Sequence, residues 1–533
     1  MSRRPASALP GYGAAGAAAV VALALVAGLG LRLARLDVRP MHNDEANQAI
    51  KFGELLERGE YAYDAFDHHG PTLYYLTLPI AWLRGQATLA ATDEWTLRGL
   101  PVAFGAATIL LLALLPAGVG RATAAAAAVL MAVSPAMVFY SRMYIQESMF
   151  ACFALAFAIA LGRAVTEGGT RWPALAGVAA GLAIATKETS VIVLPASLAA
   201  CALAWWSPGR ALGAVRPLAT GLSRKAVLVG LGTCVAVAVL FYSSFLTHPA
   251  AVLEPFRAAP TYVARGVDPA DHVHPWHYYL GILAWSSSGG LRWTEGLVLI
   301  LAGAGAAMAW IRPDPALAPD ATFWRRYLTA NAAVILAIFS AIPYKTPWNL
   351  LPFYAATIVA AGIGVSSLAR ATASRGVHVL MAGVLAIGAG HLGWQAWRAS
   401  VVYAADPRNP YVYSQTVPDA VRMAARIRDL AALHPDRDGM LVMVVARPHE
   451  QWPLPWYLRA MPHVGYWATA AEVPKLTAPV IVASMDNTET LDAALGDRYV
   501  SEFFGVRPEV LVTLYVERGL WDRFLARAAL GGA

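Results

Sequence analysis

The strongest constraint on this chain is the recurrence of long apolar runs. A membrane-spanning helix needs about 20 largely apolar residues. Eleven stretches meet or approach that length: 14–36, 99–118, 122–139, 149–165, 173–187, 190–206, 226–246, 294–311, 327–343, 348–369 and 377–397. With 58% hydrophobic and 14% charged residues, a chain of 533 cannot form one water-soluble globule. The expected class is a polytopic α-helical membrane protein with about 11 transmembrane helices. The net charge of +7 does not indicate nucleic acid, because the basic residues are scattered between apolar runs instead of clustered on one face. Cys152, Cys201 and Cys234 lie inside apolar runs without CxxC spacing, which argues against a disulfide framework or a thiolate metal site.

The connecting segments set the orientation. Ser2-Arg3-Arg4 precedes the first run, which is too long for a signal-peptide core and reads as a retained first helix. With the N-terminus inside, the inner loops collect Arg121, Arg163, Arg171, Arg210, Arg216, Arg224, Lys225, Arg312, Arg325, Arg326, Arg370 and Arg375 against few acids, as the positive-inside rule expects. The expected location is the cell membrane, with the N-terminus cytoplasmic. Residues 1–398 then form a transmembrane module. Residues 399–533 form a small extracytoplasmic α/β domain, because a polar helical stretch at 418–433 is followed by β-branched runs at 440–445, 480–483 and 510–516.

The outer face receives the chemistry. In the 37–98 loop, Asn43 is a candidate N-cap, with Asp44 and Glu45 in the first turn of an amphipathic surface helix ending at Gly59. A second short helix, 71–83, begins at Pro71 and is rich in interfacial aromatics. Asp44 and Glu45 suit general-base work at a partly desolvated interface, or else merely cap the helix. Asp67, His68 and His69 are matched by Asp271, His272, His274 and His277 in another loop expected on the same outer face. Imidazole with carboxylate suits a divalent metal ion, although interfacial histidines solvated near headgroups give the same pattern. Arg142, Glu147, Lys187, Glu188, Arg265 and Lys345 stand at outer ends of apolar runs, where charges usually face a cavity. Converging cations there would neutralise a phosphate leaving group, and internal pairing such as Lys187 with Glu188 is the alternative. Asp436-Arg437-Asp438 reads as a solvated turn. WPLPWYLR at 452–459 either docks the outer domain or belongs to its core.

The outer loop opening with DE, the GPTLYYL segment, the run ending FYSRMYIQE and the span ending ATKE together resemble the GT-C membrane glycosyltransferases, among them the protein O-mannosyltransferases and lipid A aminoarabinose transferases. RPMHNDEANQAIKFGELLERGEYAYDAFDHHGPTLYYLTLP, with PYKTPWNLLPFY and WPLPWYLR, resembles the prokaryotic flippase-activity-associated proteins of that superfamily. The resemblance implies a GT-C fold and transfer of a sugar from a polyprenyl-phosphate-linked donor to a protein, lipid or glycan acceptor on the extracytoplasmic face. By position, Asp44 matches the catalytic acid, Glu147 an acidic residue further on, and Lys187 a lysine near the lipid phosphate. His69 falls where aminoarabinose transferases carry an acidic metal ligand. A flippase or transporter component for lipid-linked sugars is the alternative, but no paired halves with matching broken helices are visible.

Overall fold

A computed structural model describes residues 13–64, 66, 69–207, 223–267 and 272–531. Each of the eleven apolar stretches is helical over most of its length. The helical part comprises α1 (Ala14–Leu33), α2 (Asn43–Arg58), α3 (Thr72–Leu83), α4 (Glu94–Leu111), α5 (Arg121–Val133), α6 (Pro135–Tyr140), α7 (Glu147–Glu167), α8 (Arg171–Ile184) and α9 (Ser190–Trp206). It continues with α10 (Arg224–Tyr242), α11 (Glu254–Val267), α12 (Tyr278–Ala284), α13 (Gly296–Trp310), α14 (Pro319–Ala341), α15 (Leu351–Arg370) and α16 (Arg375–Trp397). Among the described residues, six helices are long and apolar enough to cross a membrane: α1, α4, α7, α10, α15 and α16, three of them with short extensions. The 122–139 run is broken at Ser134. There Pro135 cannot continue the hydrogen-bond ladder of α5 and Ser134 Oγ instead caps α6.

Burial sorts these helices into layers. α15 is enclosed throughout, whereas α1, α10 and α16 keep most of their apolar surface outside. A helix apolar all round that is not covered by protein is one that faces lipid. α13 and α15 touch at glycines: a Cβ on Gly364 would collide with Leu301 O, and one on Gly305 with Ala360 O. Small residues let two backbones approach where lipid supplies no hydrophobic drive for association.

The tail forms a separate sheet unit. A short hairpin, β1 (Ser286–Ser288) with β2 (Leu291–Trp293), precedes it in the helical part. The sheet has the order β4-β3-β5-β7-β6, with β3 (Val442–Val445), β4 (Val464–Trp467) and β5 (Val480–Ser484) parallel. β6 (Tyr499–Arg507) and β7 (Val510–Glu517) form an antiparallel hairpin against β5. β3 and β5 are buried at every residue, as strands covered on both faces should be. α17 (Pro418–Ala431) and α19 (Arg518–Gly531) pack on one face, and α18 (Met485–Leu495) on the other. The expected runs at 440–445, 480–483 and 510–516 are β3, β5 and β7. β4 and β6 carry no uninterrupted β-branched run and are legible only from the structure.

Candidate functional site

The Asp44-Glu45 dipeptide divides into two unlike carboxylates. Glu45 is fully buried at the third position of α2. Its Oε1 accepts from Arg98 Nε at 2.8 Å and Tyr144 N at 2.8 Å, and its Oε2 from Arg98 Nη2 at 2.9 Å and His42 N at 3.0 Å. Burial pushes this carboxyl up, but Arg98 and Arg39 outweigh it and hold the group at about 2. Glu45 was a candidate base from sequence. Its place is a structural one, because every lone pair is used and no surface is left for a substrate.

Asp44 lies one residue earlier with its side chain 43% exposed, 3.7 Å from His42 Nδ1. The helix cap is His42, not Asn43 as expected: His42 Nδ1 accepts from Asp44 N at 3.0 Å and Glu45 returns a bond to His42 N. The partners fix the tautomer. Nδ1 is an acceptor, so Nε2 carries the proton and donates to Tyr413 O at 3.0 Å. Burial lowers the His42 pKa, so the ring stays neutral and leaves the Asp44 carboxylate unclaimed by an imidazolium.

Arg142 takes a role other than the expected phosphate contact. Its Nη1 donates to Leu31 O, Arg32 O and Ala34 O at 2.7–3.0 Å, and its Nη2 to Arg35 O and Ser400 O. It caps carbonyls at the C-terminal end of α1, beside the Ala34 N–H that donates to Gly30 O.

Glu147, at the start of α7, pairs with Lys187 Nζ, which also donates to Asn349 Oδ1 at 2.8 Å. Lys187 therefore pairs with Glu147 and not with its neighbour Glu188. Glu188 Oε2 accepts from His69 Nδ1 at 2.6 Å. The reason is local: a Cβ on Gly70 would collide with Ala185 O, so only glycine lets the GPT segment lie on the ATKE corner. Thr72 Oγ1 and Thr186 Oγ1 close the contact at 2.8 Å. Burial lowers the His69 pKa and Glu188 raises it, with Glu188 winning.

A third group joins residues 272–278 to the 343–349 turn. Val273 and Tyr344 form an antiparallel bridge, and Lys345 N donates to His272 O at 3.0 Å. Lys345 Nζ is buried against His274 O, at 3.1 Å, and Ile342 O. Burial lowers its pKa. His272 Nδ1 bonds Tyr413 OH, and His274 stacks on Tyr278 at 4.0 Å. Trp348 bridges this group to His42, its ring 5.7 Å from the His42 ring and 5.9 Å from that of Tyr413. Asn349, one residue on, reaches Lys187. The 347–349 turn thus ties the Asp44 loop to the Lys187–Glu147 pair.

Three of the four histidines expected to hold a metal ion, His69, His272 and His274, lie within the described residues. His68 lies outside the described residues, His69 is committed to Glu188, and His272 and His274 sit with Tyr413 and Lys345. Among the described residues no three His, Cys, Asp or Glu side chains are grouped to hold a metal ion. Arg265 is on α11, and its side chain lies outside the described residues, as do Asp67 and Asp271.

The tail reaches the same loop. Met41 N donates to Tyr457 OH at 2.8 Å, and Gln415 Nε2 to Pro40 O at 2.8 Å. Trp456 is buried in the helical core and donates to Glu94 Oε1 at 3.2 Å, while Leu454 and Leu458 enter the core of the sheet unit. WPLPWYLR is therefore the docking element. Burial lowers the Arg507 pKa and Asp44 opposes the shift, which puts this cation of β6 within electrostatic reach of Asp44. Asp436, Arg437 and Asp438 are exposed, as a solvated turn should be. Sequence reasoning passed over His42, Arg98, Asn349, Tyr413 and Arg507. Of these only Arg98, a charge entering an apolar run, carried a usable signal.

Comparison with known proteins bears on the fold. Residues 77–222 match the family profile described as dolichyl-phosphate-mannose-protein mannosyltransferase. No curated protein matches the chain. ArnT from Cupriavidus metallidurans bound to undecaprenyl phosphate superposes with a TM-score of 0.58 at 16% identity, over 95% of this chain and 99% of that one. The oligosaccharyltransferase AglB from Archaeoglobus fulgidus, in complex with an inhibitory peptide and a dolichol-phosphate, superposes with a TM-score of 0.54 at 16% identity, over 92% and 74%. The chain has the fold of these two structures, the GT-C fold that the sequence resemblance implies. The chain is a multi-pass membrane protein whose helical part is followed by a small C-terminal sheet unit.

Proposed function

We propose that the chain is a GT-C glycosyltransferase that moves a sugar from a polyprenyl-phosphate-linked donor to an acceptor on the extracytoplasmic face. The observation that carries this reading is an apolar groove of about 510 Å³ between α11 and the end of α14, lined by Gly266, Val267, Ile338, Ala341, Ile342 and Pro343. It ends two residues before Lys345. An isoprenoid chain fits such a groove by apolar contact alone, and its phosphate would then meet Lys345. Two of the three ammonium donors of Lys345 are held by carbonyls, so one remains for an anion. Among the described residues no carboxylate pairs with it, in contrast to Lys187. Polyprenyl phosphates bound to ArnT and a dolichol-phosphate bound to AglB support the same donor class.

In this reading Asp44 takes the proton of the acceptor hydroxyl or amine as that atom attacks the anomeric carbon. The bond from that carbon to the phosphate oxygen breaks, and the polyprenyl phosphate leaves with its electron pair beside Lys345. Buried polar atoms without a partner, including Glu147 Oε2, both amide atoms of Gln146, Thr346 Oγ1 and His274 Nε2, lie on the converging segments. Groups of this kind call for a polar partner such as a sugar. Radiolabelled sugar transfer from a panel of polyprenyl-phosphate sugars, by purified protein with and without EDTA, tests the proposal. Wild type should release free polyprenyl phosphate, and Asp44→Asn should lose roughly 10²–10⁴-fold in rate. Movement of intact donor across liposomes without any cleavage would replace the transferase with a flippase component. EDTA sensitivity would bring the histidines back as metal ligands.

A further inference from the structure

α14 reaches the 343–349 turn with its C-terminal end, and α15 departs from it. Arg325 lies 16 residues before the end of α14, and Arg370 closes α15. At about 1.5 Å per residue, both are roughly 25 Å from the site, at the opposite end of the bundle. A cavity of about 270 Å³ opens there, with Met308, Arg312, Asp314, Arg325, Ser367 and Arg370 among its walls.

The charge in this cavity is unbalanced. Arg325 is only 3% exposed. It donates to Ser367 Oγ at 2.7 Å, Val119 O at 2.9 Å and Ser366 Oγ at 3.2 Å, all neutral acceptors. Its Nε is buried with no hydrogen-bond partner. Asp314 is the carboxylate of the cavity wall, and it meets Arg370 Nε at a long 3.4 Å. Three guanidiniums therefore face one carboxylate. A buried cation without an anion is costly, and guanidinium is well shaped to chelate phosphate oxygens.

The surroundings indicate where such an anion comes from. Ile311, the cap residue just past α13 and beside the cavity, is 77% exposed, and Ile300 within that helix is 73% exposed, so α13 presents apolar surface outward. Trp310 packs its ring 5.5 Å from the Arg326 guanidinium and donates its indole N–H to Thr329 at 3.0 Å. Trp and Arg together mark the depth of the lipid headgroups. We propose that this cavity binds the phosphate of an anionic phospholipid from the leaflet opposite the catalytic face, with Arg312 and Arg370 at the mouth and Arg325 on the floor. The site is independent of the transferase reading, since none of its residues touches the groove or Asp44.

The test uses the full-length protein, exchanged into micelles with equal amounts of phosphatidylglycerol and phosphatidylcholine. Retained lipid is counted by native mass spectrometry, and melting is followed with added phosphatidylglycerol or inorganic phosphate. Phosphatidylglycerol should be retained at a several-fold excess and raise the melting temperature, and Arg312→Gln/Arg370→Gln should bring the two lipids to parity. Should that double variant not fold, Arg312→Gln alone changes only an exposed residue, and it should lower the excess at least twofold. An excess that survives these substitutions overturns the site. Stabilisation by inorganic phosphate equal to that by the lipid overturns the lipid assignment.

Discussion

Arg98 Nε and Nη2 grip the two carboxylate oxygens of Glu45 at 2.8 and 2.9 Å, and neither side chain is exposed to any degree. The same guanidinium donates to Leu36 O and Arg39 O. One ion pair thus fixes the path of the chain from the end of α1 into the helix that carries Asp44. Removing one partner leaves an uncompensated buried charge, at a cost of roughly 3–5 kcal/mol. Glu45→Gln should therefore lower thermal stability sharply in a detergent melting assay, whereas Asp44→Asn should melt like wild type while losing activity. Equal melting of the two variants would dissolve the distinction between them.

That distinction marks how far the sequence alone could be read. Apolar run length located the helices, since spanning a bilayer imposes a length that no packing detail alters. Asp44, Glu147, Lys187 and Lys345 stood out because charges are scarce in such a chain. The roles of Glu45 and Arg142 were not legible, because whether a charged group is spent on carbonyls and counterions depends on partners 53 to 258 positions away in the chain. His42 was hidden for a related reason: an imidazole replaces the usual Asn or Ser cap only if its other nitrogen finds Tyr413 O, 371 residues on.

The His69–Glu188 pair makes a pH prediction. Glu188 raises the His69 pKa above its usual 6.5 despite burial, so the stabilisation from this group is complete below 6.5 and is lost as pH rises through the folded value. For Glu188, burial pushes up and His69 pulls down more strongly, so its contribution is complete above 4.5 and is lost as pH falls through the lowered folded value. The melting deficit of His69→Gln should be largest between about pH 4.5 and 6.5 and shrink toward pH 9. A deficit that does not change with pH would mean that the bond is carried by neutral partners.

Gly70→Ala puts a methyl group into Ala185 O. Overpacking of this kind typically costs 1–3 kcal/mol, and here the strain is relieved only by lifting the GPT segment off the ATKE corner. A lower melting temperature together with loss of the pH dependence described for His69 is the expected pair of outcomes. Wild-type behaviour in both would show that the two segments are not held by this contact.

Lys345→Met removes the cation next to the apolar groove and should act on the donor. A hydrogen bond to a charged group contributes about 1.5–3 kcal/mol, so the KM for a polyprenyl-phosphate sugar should rise roughly 10- to 100-fold. Lys187→Met should differ in kind, because it strands Glu147 without its counterion and should lower stability first. Donor titrations of both variants, each paired with a melting curve, separate the two lysines. An unchanged KM for Lys345→Met would move the phosphate elsewhere.

The tail's contribution to the site rests on Tyr457, whose hydroxyl is the acceptor for Met41 N three residues before Asp44. Tyr457→Phe keeps the ring and removes that acceptor, leaving a buried N–H unsatisfied at a cost of about 1–3 kcal/mol. Pro40 stays tied through Gln415 and Glu45 stays tied through Arg98, so the loss should be local. Amide exchange at residues 41–44 should quicken roughly 5- to 100-fold, the rate equivalent of that energy, while exchange in the sheet strands stays as it was. Turnover should fall with unchanged donor KM, since the proposed base, Asp44, depends on this tether and the proposed donor groove does not. Faster exchange throughout the tail would instead mean that Tyr457 holds the sheet unit together and has no particular hold on the Asp44 loop.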